Sequence, residues 1–177
     1  PRIIAAKFDE EIAAEEEAEG SRRAALMSIG QKMWGGARAM DPLINAYFAT
    51  RGTADMELSE MMRLNPQTPY YADSGTTYHP AIVMPVSRVD DGKLKVVALH
   101  RIYIDEHADG RVTKAAVKSP KKIMPWGDLE GAAIRLFKAS GKVLAVGEGV
   151  ETMLSVHTMT GLPTWSCVTA WGLETMQ

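Results

Sequence analysis

The spacing of apolar and polar residues changes near Tyr78, and the two parts of the chain predict different elements. Before that point, "DEEIAAEEEAE", "SRRAALMSIGQKMW" and "DPLINAYFATRG" have the composition and spacing of helices. Ser21 is the expected N-cap of the second helix, and the glycine pair that starts at Gly35 is its expected end. Asp41 is the expected cap of the third helix, with Pro42 in its first turn. Helices are therefore predicted for the first third of the chain.

After Tyr78 the pattern favours strands. The runs "AIVMPVSRV" and "LKVVALHRIYI" are joined by the turn "DDGK", which predicts an antiparallel hairpin. Pro85 predicts that the first of these strands lies at a sheet edge or at a bulge. Further along, "GAAIRLF" and "KVLAVG" predict two strands, "VETMLSVHTMT" a helix and "LPTWSCVTA" another strand. The last three of these elements predict a β-α-β unit.

Two neighbouring residues of the second hairpin strand are expected to face opposite ways. Alternation along the strand places His100 with the aliphatic residues on one face and Arg101 with Tyr103 on the other. A histidine among aliphatic side chains is more typical of a core, so His100 receives a structural interpretation. Arg101 is the better candidate for binding phosphate, because its planar guanidinium pairs with phosphate oxygens and stays charged.

Composition narrows the class of protein. The 177 residues are 46% hydrophobic, which is enough to form a core in one domain or in two small lobes. No apolar run approaches the roughly 18–20 residues that cross a bilayer, and the first residues lack the pattern of a signal peptide. A cytoplasmic location is therefore expected. One cysteine and four scattered histidines lack the spacing of a zinc module, so no zinc is expected.

Charge is distributed unevenly along the chain. The net charge is −2, but residues 1–20 carry −5 and the remainder carries +3. From position 111 to 122 there are five cations and no acidic residue: Arg111, Lys114, Lys118, Lys121 and Lys122. This stretch contains Ser119-Pro120 and is predicted to be a loop. Either it is a solvated loop, or its cations follow a nucleic-acid backbone without reading sequence.

Glu148 ends the predicted strand "KVLAVG" and lies between Gly147 and Gly149. Ligands of α/β sheets bind at the carboxyl ends of parallel strands, and flanking glycines leave space for a nucleotide or a metal beside the carboxylate. Capping of the following helix is the alternative, because a carboxylate is also favourable at a helix N-terminus. The pattern itself favours neither interpretation.

Motifs along most of the chain resemble a known family. "VLAVGEGVETMLSV" followed by "TGLPTWSCVTAWGL" resembles the first half of a Toprim domain, whose first motif is a strand ending in Glu-Gly. Upstream, "INAYFATRG", "PQTPY", "HPAIVMPVSRVDDGKLKVVALHRIYID", the Lys114 segment and "GAAIRL" resemble, in that order, the N-terminal half of the catalytic core of phage- and plasmid-type primases. The resemblance covers residues 22–177.

The resemblance implies an α+β N-terminal lobe of helices and an antiparallel hairpin, joined to a partial α/β Toprim domain. Residues 21–129 would form the primase lobe and residues 130–177 the first half of the Toprim domain, while the composition of residues 1–20 predicts an acidic helical arm. The implied activity is synthesis of short RNA primers on single-stranded DNA from ribonucleotides, with Mg²⁺ or Mn²⁺, in phage, plasmid or mobile-element replication. A replicative helicase is a further possible partner.

The resemblance also implies roles for individual residues. Glu148 matches the Toprim glutamate, which serves as a metal ligand or as a general acid/base. Arg51, Arg101 and Lys114 match positions of weaker motifs and would bind nucleotide or template, together with the lysines that follow Lys114: Lys118, Lys121 and Lys122. Glu151, in the next helical turn, has no matching role and is expected to be exposed to solvent.

One element of the Toprim pattern is missing. Toprim domains complete their metal site with an Asp-x-Asp at the end of a later strand, and no such motif precedes Gln177. We therefore expect the chain to be a fragment of a longer primase. Two alternatives stay open: a Toprim-type nuclease or topoisomerase-like enzyme, and a non-catalytic nucleic-acid-binding remnant.

Overall fold

The computed structural model describes residues 2–53 and 57–176, with side chains from residue 10 onward. The helices are α1 Arg2–Gly35, α2 Pro42–Ala49, α3 Val150–Thr160 and α4 Ala170–Glu174. The strands are β1 Arg38–Ala39, β2 Arg63–Ala72, β3 Gly75–Asp90, β4 Lys93–Glu106, β5 Val112–Lys114, β6 Lys121–Pro125, β7 Ala145–Gly147 and β8 Thr164–Ser166. The protein is therefore a mixed α/β protein, which confirms the general part of the expected α+β fold class.

Strands β1 to β6 form one curled antiparallel sheet. Its order is β1-β2-β3-β4-β5, and β6 pairs with the same edge of β4 as β5 does, farther back along that strand. The predicted β3–β4 hairpin is confirmed, and its turn places Asp91 and Gly92 at φ 49° and 71°. Both residues adopt the left-handed conformation that tight two-residue hairpin turns require, which explains the Asp-Gly sequence.

Pro85 lies in an interior strand, so of the two predicted alternatives, an edge or a bulge, the edge is not realised. Strand β3 has β2 on one side and β4 on the other. The pairing with β2 ends at Val83, however, and the register with β4 shifts between Val86 and Ser87. Because β2 does not reach as far as Pro85, the missing N–H of the proline leaves no ladder bond unmade on that side. The predicted bulge is confirmed beside the proline.

A single helix replaces the two that were predicted before Gly35. Helix α1 runs through Gly20 and Ser21, so Ser21 is not a cap. Arg22 and Arg23 both pair with Glu19 across the predicted break, at 3.9 Å and 2.9 Å. One internal glycine costs only about 1 kcal/mol, which flanking alanines, glutamates and these pairs offset. The predicted end at the glycine pair is confirmed.

Helix α2 has the predicted N-terminus. The Asp41 side chain accepts a hydrogen bond from the Leu43 N–H at 3.0 Å, and Pro42 occupies the first helical position. Ile44, Tyr47 and Phe48 are buried, so a short helix is held by its apolar face rather than by its length.

The two faces of the sheet bury separate cores. One face, here called the α3 face, packs Ile82, Ile102 and Ile104 against helices α2 and α3. The other, the α1 face, packs Leu99 and Tyr103 beneath helix α1. Because β4 contributes alternate residues to both, neighbouring positions on this strand have different surroundings.

Strands β7 and β8 form a second, parallel sheet joined by α3, which confirms the predicted β-α-β order. The strand predicted for "GAAIRLF" is absent. Ala133 instead exchanges two backbone hydrogen bonds with Ser87 of the large sheet, and Ile134 exchanges two with Ser166 of the small one. This buried apolar segment links the two sheets rather than extending either.

Within residues 2–53 and 57–176, no helix has the length and hydrophobicity needed to span a membrane.

Candidate nucleic-acid interface

Glu151 is mostly buried at the start of α3 and binds three side chains from other elements. The Tyr47 hydroxyl donates a hydrogen bond to Oε1 at 2.9 Å, and Lys121 Nζ forms an ion pair with Oε2. Lys114 Nζ lies 3.7 Å from Oε1. The Glu151 side chain is 17% exposed, so the expectation of a solvated glutamate is wrong. We call these four residues the Glu151 network.

Strand pairing brings the two lysines together. Lys114 lies opposite Ile104 and Lys121 lies opposite Ile102, and residues directly opposite each other share a face of the sheet. Both lysines therefore point to the α3 face. Tyr47 lies on the buried side of α2. Helix α3 packs on the same core, so Glu151 lies beside Tyr47, Lys114 and Lys121.

Burial and opposite charges determine the protonation states in the network. Burial alone would raise the pKa of Glu151, but the hydrogen bond and charge of Lys121, with the Tyr47 hydroxyl, lower it to about 2. Burial and the charge of Glu151 raise the pKa of Tyr47. Burial and the charge of Lys121 lower the pKa of Lys114. At neutral pH, Glu151 is ionised and Tyr47 is protonated.

His100 lies on the α3 face and Arg101 on the α1 face, so the predicted division of these neighbours is confirmed. His100 is 7% exposed, and its Nδ1 has no hydrogen-bond partner among the described residues. Burial and the nearby charge of Lys121 lower the pKa of His100 to about 4. The imidazole is therefore neutral at physiological pH, and the geometry agrees with its structural interpretation.

A basic cleft opens beside the network. It measures about 560 Å³ and is lined by Thr50, Arg51, Arg111, Thr113 and Lys114. Lys114 thus belongs both to the cleft and to the Glu151 network. Among the described residues, no aspartate or glutamate lines this cleft.

Hydrogen bonds hold the cleft walls together. The Thr50 hydroxyl donates to the carbonyl of Tyr47 at 2.7 Å and lies 2.9 Å from the carbonyl of Val112, which ties the end of α2 to β5. Arg111 pairs with Asp109 at 2.6 Å, but both side chains are more than half exposed. Such an exposed pair is weak, so Arg111 can exchange its partner readily.

The predicted loop from 111 to 122 contains two strands, β5 and β6, and only residues 115–120 lie between them. Lys118 is exposed in that interval. Lys122 lies on the α1 face, where its Nζ donates to the carbonyl of Tyr71 at 2.9 Å and lies 4.0 Å from the centre of the Tyr70 ring. The five cations of this stretch therefore do not form one surface.

Arg101 also lies on the α1 face and therefore points away from the basic cleft. Its side chain is buried, and Nη1 donates to the Tyr103 hydroxyl at 3.0 Å. Its Nε has no partner among the described residues. The structure brings together Arg51, Lys114 and Lys121 of the predicted binding residues, and it places Arg101 and Lys122 on the other side of the sheet.

Glu148 is exposed directly after β7, at the predicted strand end. Gly149 is the N-cap of α3 and no side chain caps this helix, so the capping alternative is not realised. Gly147 has a packing role, because a Cβ there would meet Met153 Sδ at 2.6 Å. The Glu148 carbonyl accepts a hydrogen bond from the Ser166 hydroxyl at 2.7 Å, which fixes the backbone at this point.

The described residues do not fit a Mg²⁺ or Mn²⁺ site. Such ions need several oxygen ligands, and no group of three or more histidine, cysteine, aspartate or glutamate side chains comes together in the described part of the chain. Glu148 offers a single carboxylate, and the oxygens of Glu151 are already occupied by Tyr47 and Lys121.

Sequence reasoning missed Tyr47 and misjudged Glu151. The available signal was the position of Glu151 in the first turn of a helix that follows a parallel strand. Its partners could not be inferred from that position, since Tyr47 and Lys121 are 104 and 30 residues away in the chain.

A family model described as "Domain of unknown function (DUF7146)" matches residues 16–136. The matched part includes Arg51, Lys114 and Lys121, whereas Glu148 and Glu151 lie beyond it. No curated protein and no solved structure matches the chain.

Proposed function

We propose that this chain, which belongs to the family described as Domain of unknown function (DUF7146), is part of a phage- or plasmid-type DNA primase and binds the phosphates of single-stranded DNA or ribonucleotides. The basic cleft is the observation that carries this proposal. The guanidinium groups of Arg51 and Arg111 and the ammonium group of Lys114 supply both positive charge and N–H donors. Phosphate groups are bound in proteins by this combination of cations and hydrogen-bond donors.

The β7-α3-β8 unit supports the primase part of the proposal. Its parallel strands agree with the opening half of a Toprim domain, and Glu148 is exposed at the end of the first strand. Glu151, three residues later, is bonded to Lys121 and lies beside Lys114. The segment that resembles the Toprim motif is therefore attached to the wall of the basic cleft.

The described residues do not supply what the catalytic step of a primase needs, so the proposal for this chain is limited to binding. Mg²⁺ or Mn²⁺ would have to be held by Glu148 with carboxylates that the described residues do not supply, so we derive no reaction step through a metal. For this chain we propose binding of nucleic acid. For a longer protein that contains it, we propose Glu148 as a metal ligand.

Fluorescence anisotropy with labelled oligo(dT) tests the binding proposal. The wild type is expected to bind, with an affinity that falls as salt rises from about 50 to about 200 mM. Arg51→Ala combined with Arg111→Ala should weaken binding and reduce the salt slope by about 1–2, because two phosphate contacts are lost.

Lys93→Ala combined with Arg22→Ala is the matched control, since both of these cations are exposed and lie outside the cleft. This control should bind like the wild type. Equal losses in the two double variants would show that overall charge, rather than the cleft, attracts the DNA, and the proposal would then fail.

Primer synthesis in a longer protein tests the role of Glu148. Glu148→Gln should abolish incorporation of labelled ribonucleotides on a single-stranded template and leave oligo(dT) binding intact, with the exposed Glu106→Gln as control. Retained synthesis would remove Glu148 from the mechanism. DNA cleavage or strand passage that depends on Glu148 would favour the nuclease or topoisomerase-like alternative instead.

A further inference from the structure

We propose that Glu151 is an internal counter-anion of the basic cleft: it competes with phosphate for Lys114 and Lys121 and so limits how tightly the cleft binds nucleic acid. This inference rests on the proposed binding of phosphate in the cleft, and it adds a residue that weakens this binding. It assigns Glu151 a role in setting affinity rather than in holding a metal.

Both lysines lie at the boundary between the network and solvent. Lys114 lines the cleft and its side chain is 30% exposed, so a phosphate in the cleft can reach its ammonium group, and Lys121, 38% exposed, shares the Glu151 carboxylate with it. Each ammonium group already faces a Glu151 oxygen. Carboxylate and phosphate oxygens are alternative acceptors for the same charged donors, so a bound phosphate has to draw the lysines away from Glu151 or share them with it.

Glu151 itself cannot move away when a phosphate arrives. Its Oε1 accepts the hydrogen bond of Tyr47, whose side chain is fully buried, and the adjacent Val150 belongs to the core. A lysine can swing on its flexible stem, whereas the carboxylate remains where it is. Its negative charge therefore stays close to any phosphate bound by Lys114 and repels it, with little screening because the carboxylate is mostly buried.

Asp109 provides an internal comparison. It carries the same charge and pairs with Arg111, which lines the cleft, but its side chain is 52% exposed. Solvent and salt screen an exposed charge well, so Asp109 should repel a bound phosphate far less than Glu151 does. The two residues differ in burial rather than in chemistry.

The Glu151→Gln variant distinguishes a counter-anion from a structural residue, because the two roles predict opposite changes in the affinity for oligo(dT). Glutamine keeps the size and the acceptor for Tyr47 but removes the charge. The counter-anion role predicts that oligo(dT) binds the variant roughly tenfold more tightly, with a steeper salt slope, because the lysines are free for phosphate. A purely structural role predicts weaker binding.

Asp109→Asn is the matched control, because it removes the same charge from an exposed position, and it should change the affinity less than about twofold. Tyr47→Phe keeps the Glu151 charge and should not tighten binding. The affinities of the wild type and the variants for pyrophosphate, measured by calorimetry, should rank in the same order as their affinities for oligo(dT). Unchanged or weaker binding by folded Glu151→Gln overturns the proposal, as does equal tightening by Asp109→Asn.

A measurement on the wild type keeps the test independent of how well the variant folds. Pyrophosphate should shift the carboxyl ¹³C resonance of Glu151 in the NMR spectrum as Lys114 and Lys121 turn toward it, and an unmoved resonance at saturation overturns the counter-anion role. If the wild type binds neither probe, the proposed function fails as well. If the wild type binds oligo(dT) more tightly than the double variant Arg51→Ala/Arg111→Ala while Glu151→Gln fails to increase the affinity, only the counter-anion role fails.

Discussion

The two faces of the large sheet hold their cations in different ways. On the α3 face, Lys114 and Lys121 both pair with one mostly buried carboxylate, that of Glu151. On the α1 face, Arg101 and Lys122 lie against tyrosine rings and carbonyl groups, and neither takes part in an ion pair between described residues. Lys121 and Lys122, which are neighbours on β6, thus have two different electrostatic environments.

The difference shows where a ligand can act. Helix α1 packs on the α1 face, and Gly30 of that helix lies against the Trp126 ring. The α3 face opens at the basic cleft, and its lysines keep exposed tips. An anion can therefore compete for Lys114 and Lys121 on the α3 face, whereas Arg101 on the α1 face is buried.

Removing the carboxylate from the α3 face should have the largest effect on stability. Glu151→Ala leaves two partly buried lysines and the Tyr47 hydroxyl without their acceptor, and we expect the free energy of unfolding to fall by about 3 kcal/mol at pH 7. Urea unfolding followed by circular dichroism measures this loss. A loss below about 1 kcal/mol would mean that the network contributes little, and the contrast between the faces would disappear.

His100 makes the α3 face sensitive to pH. Its folded-state pKa of about 4 lies below the ordinary value of 6.5, so the unfolded chain binds a proton that the folded protein does not. Stability is fully present above pH 6.5 and is lost as the pH falls toward 4, by about 2–3 kcal/mol. Glu151, whose pKa is also lowered, adds its own loss only below its ordinary value of 4.5.

Unfolding measured at several pH values tests this difference. His100→Leu should remove the loss between pH 6.5 and 4, because no group then titrates at this buried position. His107→Gln, at an exposed position, should keep the loss of the wild type. The same decline in all three proteins would assign the pH dependence to another group.

Gly30→Ala tests the packing on the α1 face. The new Cβ would lie 2.7 Å from Trp126 Cη2, and the ring is held by a hydrogen bond from Nε1 to the Val96 carbonyl. We expect a loss of about 1–2 kcal/mol, since the strain of displacing the ring exceeds the better helix propensity of alanine. Gly20→Ala, which meets nothing within 4 Å, is the control and should stabilise the helix. Equal effects at both positions would contradict tight docking of α1.

Arg101→Met should have the smallest effect. The guanidinium is buried with an unpartnered Nε, and replacing such a charge with an apolar side chain of similar length is often nearly neutral. We expect a change below about 1 kcal/mol in urea unfolding. A loss as large as that of Glu151→Ala would show that both faces depend equally on their charged groups.

Local signals account for much of the fold that could be predicted. The Asp41 cap, the Asp91-Gly92 turn and the bounds of α3 each follow from neighbours within a few residues. Strand β2 was missed because prolines interrupt its pattern, and Pro66 falls where the register shifts between Asn65 and Thr68. The shift absorbs the proline, but a shift depends on the partner strand and is not visible in β2 alone.

For the site, the sequence by itself determined that His100 and Arg101 face opposite ways, since side chains alternate along any strand. It also placed Glu148 at a strand end. Only the tertiary structure decided that Glu151 is mostly buried and that Lys114 and Lys121 converge on it, because β5 and β6 pair with β4 at separate positions and α2 contributes Tyr47. Charges are brought within a few ångströms by the packing of distant segments, and a helix-turn glutamate looks the same in sequence whether lysines or water surround it.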